Sequence, residues 1–136
     1  MSNKKWMEHA INLAKSNANR GGKPFGAVIV KDETIIAEAV NDVIATHDPT
    51  THAELQAISK ASRSLGKEDL SDCELYASGE PCPMCLSAIY LANMKKIYFA
   101  NPMEGNPLAV QAKKIYEQIG LTNEKRTIRL IQLSIN

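Results

Sequence analysis

Aromatic side chains are scarce in this sequence: two Phe, four Tyr and one Trp among 136 residues. A core built from it must lean on Ala, Val, Ile and Leu. Cysteine is scarce as well, and three residues make an odd number, a poor basis for a disulfide framework. No apolar run approaches the roughly 20 residues that span a bilayer, so a transmembrane helix is not expected. The opening MSNKKWMEHAINLAK lacks the apolar block of a secretory signal. Together these absences predict a cytoplasmic protein in a reducing compartment, where cysteines more often bind metal or perform chemistry than form bridges. Neither sign of charge dominates, with 16 Lys+Arg against 15 Asp+Glu. Residues 1–90 hold 9 basic against 12 acidic side chains, and residues 91–136 hold 7 against 3. The basic final third could touch a nucleic-acid backbone but falls far short of the excess carried by dedicated nucleic-acid binders, so a nucleic-acid partner is not favoured.

What remains is globular: 44% hydrophobic and 23% charged residues, at a length that fits one domain over 1–136. Trp6, Ala10, Leu13 and Ala14 recur at helical spacing and predict a helix over 3–18. Residues 26–30 and 34–39 form two β-rich runs around a turn-sized gap, a hairpin pattern. A helix over 52–65, a strand over 73–78, a helix opening at Pro83 and running to about Asn93, a strand over 96–100, a helix over 107–119 and a fifth strand over 127–133 follow. That alternation predicts a three-layer α/β/α sandwich around a five-stranded mixed sheet.

Two short stretches carry chemistry: His52-Ala53-Glu54, and Glu80-Pro81-Cys82-Pro83-Met84-Cys85. Cys82 and Cys85 at the start of a helix share one face, and the positive end of the helix favours thiolates. His52 opens its own helix, so two helix starts can bring His, Cys and Cys to one zinc ion. Three protein ligands are the mark of a catalytic zinc site, since structural sites are usually closed by four. Glu54, beside a ligand without being one, is placed to act as catalytic base. Competing readings exist for each feature. Thr51-x-x-Glu54 fits a capping box, in which the carboxylate serves only the backbone. The Cys-Pro-Met-Cys run is similar to the dithiol of glutaredoxin-like oxidoreductases, although such a dithiol follows the first strand rather than the third. Cys73 fits a buried strand position, His9 a helix surface and His47 a loop.

The His-x-Glu and Pro-Cys-x-x-Cys pattern is the zinc deaminase signature, and the chain resembles the cytidine deaminase-like superfamily in its branch acting on nucleobases and tRNA adenosine. Pro24-Phe25-Gly26-Ala27-Val28-Ile29-Val30, Asn41, Asp48-Pro49-Thr50-Thr51-His52-Ala53-Glu54 and Glu80-Pro81-Cys82-Pro83-Met84-Cys85-Leu86 through Tyr90 look most like bacterial guanine deaminases. The resemblance implies one Zn2+ per chain on His52, Cys82 and Cys85, proton shuttling by Glu54, and a substrate pocket bordered by Asn41, Phe25 and Ala53. An amide at Asn41 also suits a purine edge on chemical grounds, although Asn41-Asp42 equally suits a turn. Guanine leads as substrate, with tRNA adenosine, cytosine or another aminated heterocycle as alternatives. Two features depart from guanine deaminases. Those enzymes carry an aspartate after the fourth strand, whereas this chain has no Asp beyond Asp72, and Glu104 is its nearest acidic candidate. Their C-terminal lid would be missing here if the chain stops at its last strand. A homodimer is expected from the resemblance, and from the helix 84–93, where Met84, Leu86, Ala88, Ile89, Tyr90, Leu91 and Ala92 surround most of the circumference with apolar surface.

Overall fold

The computed structural model describes residues 2–135. Helix α1 (Ser2–Asn19) leads into strands β1 (Gly26–Lys31) and β2 (Thr34–Val40). A one-turn helix α2 (Val43–Thr46) and helix α3 (Ala53–Leu65) precede β3 (Glu74–Gly79). Helix α4 (Pro83–Leu91), β4 (Lys96–Asn101) and α5 (Ala109–Ile119) complete the regular elements, apart from a 3-10 turn at Asn123–Lys125. The sheet runs β2-β1-β3-β4, with β1 antiparallel to both neighbours and β3 parallel to β4. The β1–β2 hairpin closes through Asp32 and Glu33, both at positive φ, the geometry that matches the twist of paired strands.

Alternation along β1 divides the core in two. Val28 and Val30 turn to α1 and pack with Trp6, Ala10 and Tyr76. Ala27 and Ile29 face the opposite way, into a cluster with Ala53, Ala57 and Ala61 of α3 and Ile89 of α4. Small side chains let α3 lie close to the sheet, which is how a chain with few aromatics fills its interior. Trp6 and Tyr76 are the exceptions: both are buried, and Tyr76 stacks on Tyr98 of the next strand, with ring centroids 4.8 Å apart. Close approach also explains Gly26, where a Cβ would come within 2.6 Å of the Ala10 carbonyl on α1.

The sheet has four strands, and the expected fifth at 127–133 does not form among the described residues. Arg126 donates to the carbonyls of Gln118 and Ile119, and the Thr127 N–H donates to Gln118 Oε1, so the segment is tied to the end of α5 and not to the free edge of β4. From there it runs with Ile128 and Ile131 well exposed. Strand propensity measures fitness for a pleated, half-covered surface, and a segment held at the end of α5 does not pair with the β4 edge that could supply one. Among the described residues no helix is long and apolar enough to cross a membrane.

Candidate active site

The site sits where two helices begin. His52 is the N-cap of α3, and Cys82 is the N-cap of α4, with Pro83 in the first turn and Cys85 one residue pair further on. Pro83 loses nothing there, because the first helical N–H has no partner within the helix in any case. His52 Nδ1 lies 3.5 Å from both Cys82 Sγ and Cys85 Sγ, and the three ligand atoms lie within 4.8 Å of one another. Zn–S bonds of about 2.3 Å and Zn–N bonds of about 2.0–2.1 Å at tetrahedral angles give N···S edges of roughly 3.6 Å. Both N···S edges therefore already match those of a zinc tetrahedron, and the soft-plus-imidazole chemistry of the trio suits that ion.

Their electrostatics agree. Hydrogen bonds from Cys85 and His52 hold the Cys82 thiol down at about 4, so Cys82 is a thiolate at neutral pH. Cys85 is pushed up, because it donates its proton to Cys82 and is buried. The hydrogen bond to Cys82 raises His52. Without metal the trio thus keeps a shared proton that a cation displaces on binding.

Glu54, in the first turn of α3, is only 8% exposed, and burial pushes its carboxyl up to about 7. The alternative capping-box arrangement is absent. His52, not Thr51, is the N-cap, and the Thr51 N–H goes to the Asp48 carbonyl. Glu54 instead lines a narrow cavity with Phe25, Asn41, His52, Glu80, Cys82, Met103, Asn106 and Leu108. The cavity is about 20 Å3, room for one water. A larger space of about 270 Å3 adjoins it through the shared walls His52, Cys82 and Leu108, and takes in Lys23, Val43, Pro49, Gln111 and Ile115.

Asn41 is 4% exposed and firmly held. Its backbone N–H donates to the Phe25 carbonyl, its Oδ1 accepts the Val43 N–H at 3.0 Å, and its carbonyl accepts from buried Asn17 Nδ2 at 2.8 Å. Asn41 makes the turn, and it also borders the cavity. Ala53 is fully buried among the core alanines and does not line the cavity. Glu104 is exposed and lies outside the lining, while Glu80 takes an inner position. His9 pairs with Glu38 on the surface, His47 is exposed, and Cys73 is buried in the core. Glu80, Met103, Asn106 and Leu108 were not foreseen as site residues. The one sequence signal for them is Asn106-Pro107 ahead of a helical pattern, a local turn signature.

A family model of the cytidine and deoxycytidylate deaminase zinc-binding region matches residues 1–101. The chain is 44% identical to the guanine deaminase of Bacillus subtilis over 137 residues, covering 99% of this chain and 88% of that protein. It is 41% identical to the tRNA-specific adenosine deaminase of Aquifex aeolicus over 100 residues, covering 74% of this chain and 66% of that one. The X-ray structure of the Bacillus subtilis guanine deaminase superimposes with a TM-score of 0.88 at 45% identity, over 97% of this chain and 85% of that one. With two helix starts delivering a His-Cys-Cys zinc site and a buried glutamate beside it, the chain belongs to the zinc-dependent cytidine and deoxycytidylate deaminase family.

Proposed function

We propose that the protein is a single-domain, cytoplasmic, homodimeric deaminase that converts guanine and water to xanthine and ammonia. The observation that carries guanine over tRNA adenosine is the identity and extent of the likeness taken together. Similarity to a guanine deaminase runs at 44% identity over 99% of the chain, including α5, whose residues wall the outer cavity. Similarity to tRNA-specific adenosine deaminases is 41% over 74% of the chain or 34% over 91%.

Bound zinc supplies a Lewis acid that makes water a competent nucleophile at neutral pH. The chain's own residues do the rest. Phe25 and Asn41 border the base and orient it. Glu54, buried at the cavity wall, takes a proton from the attacking water as the C–O bond forms at the amine-bearing carbon. It returns that proton to the adjacent ring nitrogen, and then carries the second proton of the water to the departing amine. The C–N bond breaks and ammonia leaves, so atoms and charges balance. A carboxyl with its pKa near neutrality is suited to both halves of that exchange. A ring enters the narrow cavity from the larger one, displacing the side chains of Met103 and Leu108. Methionine is well adapted to such repacking.

The homodimer has its own support. Tyr90 and Leu91 are 75% and 84% exposed on α4, an apolar face that the monomer leaves uncovered. The test of substrate is a panel of guanine, adenosine, cytosine and tRNA scored by ammonia release. Guanine is expected to lead, and activity on tRNA with none on guanine would overturn the reading.

A further inference from the structure

Two amides border the narrow cavity, and the backbone dictates which half of each is free. A backbone N–H requires an oxygen acceptor. Asn41 Oδ1 takes the Val43 N–H at 3.0 Å, and Asn106 Oδ1 takes the Leu108 N–H at 2.8 Å. Each amide is thereby oriented with its NH2 group unspent. Neither Nδ2 has a protein partner among the described residues. No fully buried side-chain nitrogen or oxygen lacks a partner among those residues either, so the Nδ2 of nearly buried Asn41 must reach the cavity. Asn106, partly buried on the same wall, is its counterpart.

The segment that carries Asn106 is pinned at several points. Glu80 accepts the Met103 N–H at 2.8 Å, and its own N–H donates to the Asn101 carbonyl at 2.7 Å. The Asn106 N–H donates to the Met103 carbonyl, and the Ala109 N–H donates to the Asn106 carbonyl, both at 2.9 Å. A side chain on such a braced backbone is held in place before a ligand arrives, which is what a recognition group requires.

We propose that Asn106 is a substrate-contacting residue whose Nδ2 donates to a ring acceptor of the base, so that with Asn41 it presents two fixed donors. This rests on the guanine reading above and deepens it. Guanine offers acceptors at N7 and O6, whereas adenine keeps N7 but places an amino donor where guanine has O6. A pocket with two amide donors therefore welcomes guanine and sets one donor against the adenine amino group, leaving it unpaired.

The decisive variants are Asn106→Asp and Asn106→Ser. Both keep an oxygen that can accept the Leu108 N–H, since Asp and Ser make the same local turn, yet Asp has no donor and Ser is too short to place one in the same position. The expected result is a fall in kcat/KM for guanine of about ten- to hundredfold in both, carried mainly by KM. Melting temperature and zinc content stay at the parent values, and xanthine binding measured by calorimetry weakens in step. The parent should also discriminate against 7-deazaguanine, which lacks N7, and 2-aminopurine, which lacks O6. The Asn106→Ser variant should lose that penalty for one of the two. If both variants keep the parent kcat/KM and xanthine affinity while the parent deaminates guanine, Asn106 serves only its turn and this inference alone fails. A loss that tracks a lowered melting temperature or zinc content in both variants overturns it equally. A parent that neither deaminates guanine nor binds xanthine overturns the guanine reading and takes this inference with it.

Discussion

Glu54 and the cysteines show how much one position can carry. Replacing Glu54 by Gln keeps the shape of a buried side chain but removes its ability to move protons. Turnover should fall roughly 10²–10⁴-fold with zinc content unchanged, measured by ammonia release and elemental analysis. The thiols differ enough to be told apart by reactivity. Thiolate exists above a thiol's pKa, so Cys82, at about 4, is already ionised throughout pH 6–8, whereas Cys73, at about 11, gains thiolate tenfold per pH unit over that range. In metal-stripped protein, alkylation followed by mass spectrometry should label Cys82 quickly at a rate flat in pH and Cys73 slowly at a rate that climbs. Zinc loading should protect Cys82. At this scale the sequence was informative about chemistry and much less so about the pocket. Cys82, Cys85, His52 and Glu54 are legible because metal chemistry restricts both residue type and spacing. Glu80 and Asn106 are not, because an acid beside a proline or an amide in a loop is compatible with many surroundings until the chain is folded.

Elements were legible where one face had a partner. The α1 pattern, the hairpin, α3 and β3 follow from the sequence pattern, since each buries the apolar side chains that the pattern marks. Helix α4 and strand β4 form as expected but keep Tyr90, Leu91 and Phe99 exposed. The segment 127–133 has equally good strand composition, and it fails because pairing is a property of two strands and the sequence of one does not disclose the other. The packing of α1 on β1 supports a further expectation. Gly26→Ala would push a methyl against the Ala10 carbonyl and Leu13 Cβ, at 2.6 and 2.8 Å. Overpacking of that kind costs about 1–3 kcal/mol, read as a lower midpoint in urea with an unchanged slope. Because Phe25 precedes Gly26 and lines the cavity, KM for the base should rise as well.

For the whole molecule the uncovered faces matter most. Tyr90 and Leu91 on α4, together with Ile128, Ile131 and Leu133 on the C-terminal segment, place large apolar side chains in water. Isolated exposed apolar residues are ordinary, but clustered ones ask for a partner. Light scattering at micromolar concentration should return twice the mass of one chain, and Leu91→Glu should shift that value toward the monomer while leaving zinc content unchanged. A parent that runs as a monomer with full zinc would remove the interface and leave the chemistry of the site untouched.

His52 and Cys82 stand 30 positions apart in the chain and meet at 3.5 Å. An ion held between them acts as a cross-link that closes a loop containing all of α3 and β3, and by the chain-entropy reckoning for loops of that size such a closure is worth about 3–4 kcal/mol against the unfolded ensemble. The reagent that equips the protein to react with its base would thus also be a rivet through its middle, and a chelator should lower its thermal midpoint as well as its activity.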